Sequence, residues 1–369
     1  MTTNTDDLLP VGLSDRLPRE AAIATHAMRA VLGAMDSHGY DRVRPPLVEF
    51  EKSMAERMDG IQPRRMFRFV DPVSLRTMAL RSDMTVQVGR IAATSLASAP
   101  RPLRLCYAGE VATITSDQLD PARQRLQLGA ELIGNDTVAA AAELVALAIE
   151  SLEAAGASGI SVDFTLPDLV DTLADKAMPL GPEKIAAVRR ELDTKDAGGL
   201  KQAGGEAYLP LLYATGDFDT AIEQLAAIDA GGALISRIEG LKAIAARVGK
   251  KARITLDPTE RHGFEYQSWL GFTIYAEGVR GALGRGGTYT IGGSDEAATG
   301  FSLYIDRLID ALDRGAMRDT VFLPLGHDTK AAARLRADGW RTIAELVDSA
   351  DPKQLGCTHR LKGSDAVPI

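Results

Sequence analysis

Three short segments carry the side chains whose types and spacing could do chemistry. In RQRLQLGAELIG, residues 123–134, strict alternation places Leu126, Leu128, Ala130 and Leu132 on one face of a strand and Gln127, Gly129 and Glu131 on the other. One reading is a strand with a solvated side. The other is a binding surface, in which the glycine between an amide and a carboxylate leaves a pit where a small ligand approaches the backbone while both side chains bond it. LRSDMT supplies Arg81, Asp83 and Thr85 at a strand-to-helix junction, where Asp83 serves either as a plain helix cap or as a ligand contact. GRGGTYTIGG, residues 284–293, lacks the strand-turn-helix setting of a dinucleotide fingerprint, so its glycines are expected in turns. Asp306 beside Arg307 reads as a solvated charged face. The five histidines, His26, His38, His262, His327 and His359, are scattered without metal spacing, so no metal site is expected. The absence of a G-x-S-x-G elbow, a P-loop or a Cys-His arrangement removes the commonest hydrolase and nucleotide-hydrolysing readings.

The elements that must position these residues follow from hydrophobic periodicity. Pro18 opens an amphipathic helix ending near Gly39, and RVRPPLVEF is extended because each proline disfavours helix at the residue before it. MFRFVD and SLRTMAL, parted by Pro72, form a hairpin, and Asp83 starts a helix running towards Ala97. LRLCYAGEVAT and RLQLGAELIG pair as strands, an alanine-rich helix runs from Asp136 to Gly156, and ISVDFTL is a strand. Residues from about 179 to 250 are helical in pattern and read as an insert. RITLD, WLGFTIYAE and VRGALG are strands, and a helix is expected from about Gly300 to Arg314. Long strands joined mostly through hairpins argue for an α+β fold, an antiparallel sheet flanked by helices on one side. The divisions are a core over 1–315 and a small α/β appendage over 316–369.

The chain has 369 residues, 45% of them hydrophobic, and 42 − 50 gives a net charge of −8, which predicts no general attraction to nucleic acid or anionic membrane. Cys106 and Cys357 are isolated, so no disulfide framework or cysteine-based zinc site is expected, and a reducing, cytoplasmic setting fits. The N-terminus lacks a basic and apolar leader, and no stretch is apolar for long enough to span a bilayer.

In this order the segments resemble the class II aminoacyl-tRNA synthetase core, specifically that of histidyl-tRNA synthetase, over roughly the first 315 residues. GYDRVRPPLVE is similar to motif 1, the dimer-forming helix and strand. LCYAGEVAT through RLQLGAELIG resembles motif 2, GFSLYIDRL resembles motif 3, and HGFEYQSWLGFTIYAEG with GRGGTY resembles the histidine-specific region. The resemblance implies a histidine pocket made by Asp83, standing where the family has glutamate, with Thr85, Gln127, Glu131 and Tyr266; Arg81 and Arg307 are further pocket candidates. It also exposes departures. Thr113 replaces the motif 2 arginine that grips phosphate and carboxylate, and the ATP-contacting loop reads TSDQLDPARQR, with Pro121 and Arg125 at two contact positions. His262 replaces an arginine, with Arg261 one place out of register. Tyr304 replaces a small residue three before Arg307.

Adenylation needs charge-assisted donors, and most are gone. The chain also stops about 50 residues after Arg314, with only a fragment of an anticodon-binding domain. This combination is similar to the regulatory-subunit branch of ATP phosphoribosyltransferase, paralogues of the synthetase. What the resemblance implies is a non-catalytic subunit in the first step of histidine biosynthesis, needing no cofactor. It would self-associate as a dimer, bind a short-form catalytic subunit in a hetero-oligomer, and answer to histidine as effector, with neither tRNA nor membrane as partner. The alternatives are a divergent histidyl-tRNA synthetase or amino-acid ligase and, third, an RNA-binding module with dead catalysis.

Overall fold

A computed structural model describes residues 8–55, 66–114, 121–228, 230–261, 267–292, 294–312, 319–347 and 350–369. The chain divides into two compact units, Met1–Leu312 and Asp313–Ile369. In the first, α1 (Pro18–Ser37) starts with proline at its first position and buries Ala27, Val31 and Met35. The strands β1 (Asp41–Arg42) and β2 (Val48–Phe50), a short helix α2 (Glu51–Ala55), and the hairpin β3 (Arg68–Val70) and β4 (Thr77–Leu80) follow. β2, β4 and β3 form a small antiparallel sheet. α3 (Thr85–Ala93) is shorter than its expected extent to Ala97.

The long strands β5 (Leu103–Ala112) and β6 (Gln124–Ile133) pair antiparallel as expected. α4 (Val138–Ala154), capped by the Thr137 side chain accepting from the Ala140 amide, and β7 (Ser161–Thr165) complete the first half. Helices α5 (Leu169–Lys176), α6 (Pro182–Asp193), α7 (Ala197–Gln202) and a 3₁₀ helix (Glu206–Tyr213) lead to a two-residue strand β8 (Gly216–Asp217), then α8 (Phe218–Ile228) and α9 (Ile235–Val248). This helical stretch does not stand apart: Leu200, Tyr208, Leu225, Leu241 and Ile244 share one apolar cluster with α1, α4 and the sheet. β9 (Arg253–Leu256) and β10 (Gln267–Tyr275) match expected strands.

Two expectations fail in the next segment. GRGGTYTI is not a turn but a central strand, β11 (Gly284–Ile291), whereas most of VRGALG forms the connection before it. The expected helix from Gly300 is likewise a strand to its end, β12 (Glu296–Tyr304), and only α10 (Asp306–Ala311) is helical. The physical reason is close packing. Side chains at Gly286 and Gly287 would run into the Phe272 ring and the carbonyls of Gly300 and Leu270, so glycine is what lets these strands lie together. Local propensity opposes a strand there, and tertiary contact overrides it.

Among the described residues these strands form a nine-stranded sheet, ordered β1-β5-β6-β12-β11-β10-β7-β9-β8. It is antiparallel except for β1 with β5 and β7 with β9, a mixed character that hairpin reasoning missed. Leu128, Ala130, Leu132, Phe301 and Leu303 face the helical layer, while α3 packs Val88 and Ala92 with Tyr107, Tyr289 and Ile291 in a second, smaller cluster. The second unit has β13 (Thr320–Leu323), α11 (Thr329–Ala337), β14 (Arg341–Ala344), β15 (His359–Lys362) and β16 (Asp365–Pro368) in the order β14-β13-β15-β16, with α11 packed on Val321 and Leu323. Among the described residues no helix is long and apolar enough to cross a membrane.

Gly129 tests the packing of the central strands. A Cβ there would collide with the Tyr107 phenol and the Phe301 carbonyl. Gly129→Ala is expected to lower unfolding stability by about 1–3 kcal/mol, read from denaturant titration.

Candidate functional site

Glu131 sits near the C-terminal end of β6, between Leu105 of β5 and Gly300 of β12, and is 1% exposed. Two phenols hold its carboxylate: Tyr107 donates to Oε1 at 3.0 Å and Tyr289 donates to Oε2 at 2.7 Å. A side chain on Gly300 would meet Glu131 Oε2, so the glycine lets the carboxylate lie across the neighbouring strand. Burial pushes the Glu131 carboxyl up to about 8, against the two tyrosine hydrogen bonds that favour its charged form.

Tyr107 is opposite Gly129 in the β5–β6 ladder, and its phenol fills the space above that glycine. The pit expected there is therefore closed. The Tyr107 hydroxyl also lies 2.9 Å from Thr85 Oγ1 and 3.0 Å from Ser302 Oγ. Gln127, fully buried, donates through Nε2 to Ser302 Oγ at 2.8 Å and to Asp83 Oδ1 at 2.9 Å, and accepts from the Met84 amide at 2.8 Å. Asp83 Oδ1 accepts in addition from the Thr85 amide at 2.8 Å. Asp83 thus supports the first turn of α3, as a cap does, and stands at the partly exposed end of the network.

The opening lies one strand further along. A small cleft has Gly286, Gly287 and Gly300 as its floor. Glu131, Thr85 and Ser302 line it from β6, α3 and β12; Gln267, Arg285 and Tyr289 line it from β10 and β11. Gln267 Nε2 donates to the Gly286 carbonyl at 2.8 Å and fixes the floor. A buried acceptor at one wall and hydrogen-bonding groups around a glycine floor suit a small polar molecule.

Of the residues singled out in the sequence, Thr85 and Glu131 line the cleft, Gln127 and Asp83 stand behind them through Ser302, and Tyr266 and His262 lie outside the described residues. Arg81 and Arg307 are placed elsewhere. Arg81, 8% exposed, donates to the carbonyls of Glu110 at 2.7 Å and Pro45 at 3.0 Å, tying β5 to the segment before β2, and burial pushes its guanidinium down. Arg307 donates to the Arg280 carbonyl at 2.9 Å. Asp306 is not on a solvated face: it pairs with Arg16 at 2.5 Å and accepts from the Leu126 amide at 3.0 Å. Tyr304 is opposite Gln127 on β12, with the Arg125 guanidinium 5.9 Å from its ring centroid.

Tyr107, Gln267, Arg285, Tyr289 and Ser302 were not singled out in the sequence. The signal for Tyr289 and Ser302 was alternation within GRGGTYTI and TGFSLY, hidden by reading the first as turns and the second as helix.

The strand order and the cleft define a protein of the histidyl-tRNA synthetase type: residues 12–308 match the family model described as histidyl-tRNA synthetase. The same α+β, class II synthetase-like fold occurs in a Bacillus halodurans protein described as an ATP phosphoribosyltransferase regulatory subunit/histidyl-tRNA synthetase, with TM-score 0.80, 24% identity and coverage of 96% of this chain and 97% of that one. It occurs also in the histidyl-tRNA synthetase of Nostoc, with TM-score 0.77, 16% identity and coverage of 95% and 90%. At higher identity stand the ATP phosphoribosyltransferase regulatory subunits of Rhodospirillum centenum, 40% identical over 366 residues (96% of this chain, 95% of the relative), and Paramagnetospirillum magneticum, 40% over 371 residues (98% and 97%). The chain belongs to the family of ATP phosphoribosyltransferase regulatory subunits.

The Glu131 environment predicts a pH signature. Its folded pKa, about 8, lies above the ordinary carboxylate value of about 4.3, so between those values the folded chain keeps a proton that the unfolded chain has released. This group therefore makes stability fall as pH rises through that interval, with no further loss above it. Glu131→Gln, which stays neutral, is expected to gain at least about 1 kcal/mol on the wild type between pH 5 and pH 8, measured by thermal unfolding at several pH values.

Proposed function

We propose that this chain is a non-catalytic regulatory subunit of ATP phosphoribosyltransferase, in the first step of histidine biosynthesis, and that free histidine in the Glu131 cleft inhibits a short-form catalytic partner. The observation that carries the histidine assignment is the Glu131 carboxylate, oriented by Tyr107 and Tyr289 beside a small cleft. In this reading Glu131 accepts from the imidazole, Asp83 and Thr85 take the ammonium group, and Gln127 orients Asp83; Tyr266, outside the described residues, belongs to the reading through the resemblance alone. The names of the full-length relatives support the regulatory role. Thr113 supports the absence of synthetase chemistry, because a hydroxyl cannot give phosphate the bidentate cationic grip of an arginine.

Co-purification with the host's short phosphoribosyltransferase is expected to yield a complex more active than either chain alone, and to yield no histidine-dependent exchange of pyrophosphate into ATP by this chain. Robust exchange would return the synthetase reading. Glu131→Ala is expected to weaken histidine binding roughly tenfold to over a hundredfold, the loss of a charge-assisted hydrogen bond, and to raise the histidine concentration needed for inhibition of the complex. Weakened binding with unchanged inhibition would show that the cleft is not the sensor.

Self-association belongs to the same proposal. Phe69 on β3, 43% exposed, shares one face of the small β2-β4-β3 sheet with Val48 on β2, an apolar surface suited to a two-fold contact. Val48→Asp on β2 is expected to lower the mass measured by light scattering, and a wild-type chain that is monomeric at micromolar concentration would refute the dimer.

A further inference from the structure

We infer that Arg285 binds the carboxylate of the amino-acid ligand in this cleft, so that the site selects a zwitterion over the corresponding amine. The inference rests on the histidine reading above and adds to it the group that recognises the acid end of the ligand.

Among the described residues that line the cleft, Arg285 is the only one with a fixed positive charge. It lies on β11, opposite Ser302 on β12 and Thr273 on β10. Glu131, Gly300 and Gly287 form the adjacent row on the same face. Glu131 and Arg285 are thus two strands apart laterally and one same-face step apart along the sheet. With strands about 4.8 Å apart and same-face residues about 6.8 Å apart, their backbones stand roughly 12 Å from each other. Both side chains rise from the same face of the sheet, on either side of a shared space. The positions between them, Gly287 and Gly300, put no side chain in it.

A ligand bridging this space needs a hydrogen-bond donor at one end and an anion at the other, several bonds apart. Histidine has that form: its ring N–H lies across the side chain from its carboxylate. Laid along the strands with its ring at Glu131, it brings its α-carbon to the row of Ser302 and Arg285 and its ammonium group towards the next row, where Gln127 holds Asp83. The planar guanidinium fork matches a carboxylate with two parallel hydrogen bonds, a geometry that a lysine ammonium does not reproduce. The influence of Arg285 on both Tyr275 and Tyr304, where its charge favours the ionised phenol, agrees with a guanidinium held over this face of the sheet.

The test is calorimetric titration of the full-length chain with histidine and with histamine, which keeps the imidazole and the amine but has no carboxylate. Wild type is expected to bind histidine at least roughly tenfold more tightly than histamine. Arg285→Met is expected to weaken histidine binding roughly tenfold to a hundredfold while leaving histamine binding nearly unchanged, and Arg285→Lys to restore part of the loss. Circular dichroism melts establish that each variant is folded. Equal affinity of the wild type for the two ligands overturns the inference without recourse to any variant. Unchanged histidine binding in Arg285→Met, together with loss in Glu131→Ala, overturns Arg285 as the anchor but leaves the pocket standing. No histidine binding by the wild type overturns the inference and the histidine reading together.

Discussion

A carboxyl group can remain buried on the polar face of a sheet only if its oxygens are hydrogen-bonded, because removing a polar group from water without replacement costs on the order of several kcal/mol. Glu131 imposes that requirement, and the central strands are arranged around it. β5 contributes Tyr107 and β11 contributes Tyr289, one phenol to each oxygen. Gly129 makes room for the first phenol, and Gly300 makes room for the carboxylate itself. The glycines of β11, which look like turn residues locally, are part of the same arrangement: they bring β11 close enough to its neighbours for Tyr289 to reach across.

The same network reaches the start of α3. From Tyr107 the hydrogen bonds pass to Ser302, Gln127, Asp83 and the Met84 and Thr85 amides. α3 is tied in turn to the segment around β2 by Arg90 with Glu49 at 2.5 Å and by Gln87 with the Pro46 carbonyl at 2.8 Å. A buried polar network of this kind is rigid when every member is satisfied, and it responds as a unit when one member changes partner. An arriving donor at Glu131 favours the ionised carboxylate, which strengthens what both phenols donate to it. In the histidine reading, the first physical consequence of binding is therefore a redistribution of the hydrogen bonds of Tyr107, the residue that joins the cleft to α3.

Much of this was legible in the sequence where one period ruled a segment. α1, α4, β5 and β6 follow from apolar residues at helical or alternating spacing, and the two faces of β6 are where alternation puts them. Glu131 was visible from the alternation of its strand and Thr85 from its place at a strand-to-helix junction, and only the resemblance joined them in one pocket. The resemblance of ordered motifs extended that reading to the family. The failures share one cause. Gly284–Ile291 and Gly300–Tyr304 are strands in which glycine serves a neighbouring strand rather than its own backbone, so no local rule can recognise it.

By itself, then, the chain's order of types determined the periodic elements, the polar face of β6 and the family to which the ordered motifs point. Tertiary structure alone decided which polar residues meet. Only the register of β5, β6, β12 and β11 puts Tyr107 and Tyr289 on Glu131, closes the space above Gly129, opens a cleft above Gly300 and sends Arg81 and Arg307 to backbone carbonyls elsewhere. The physical reason is that a residue's face is a local property with a period of two, whereas its neighbour across the ladder is set by pairings between segments, and one of these, β6 with β12, joins residues more than a hundred positions apart.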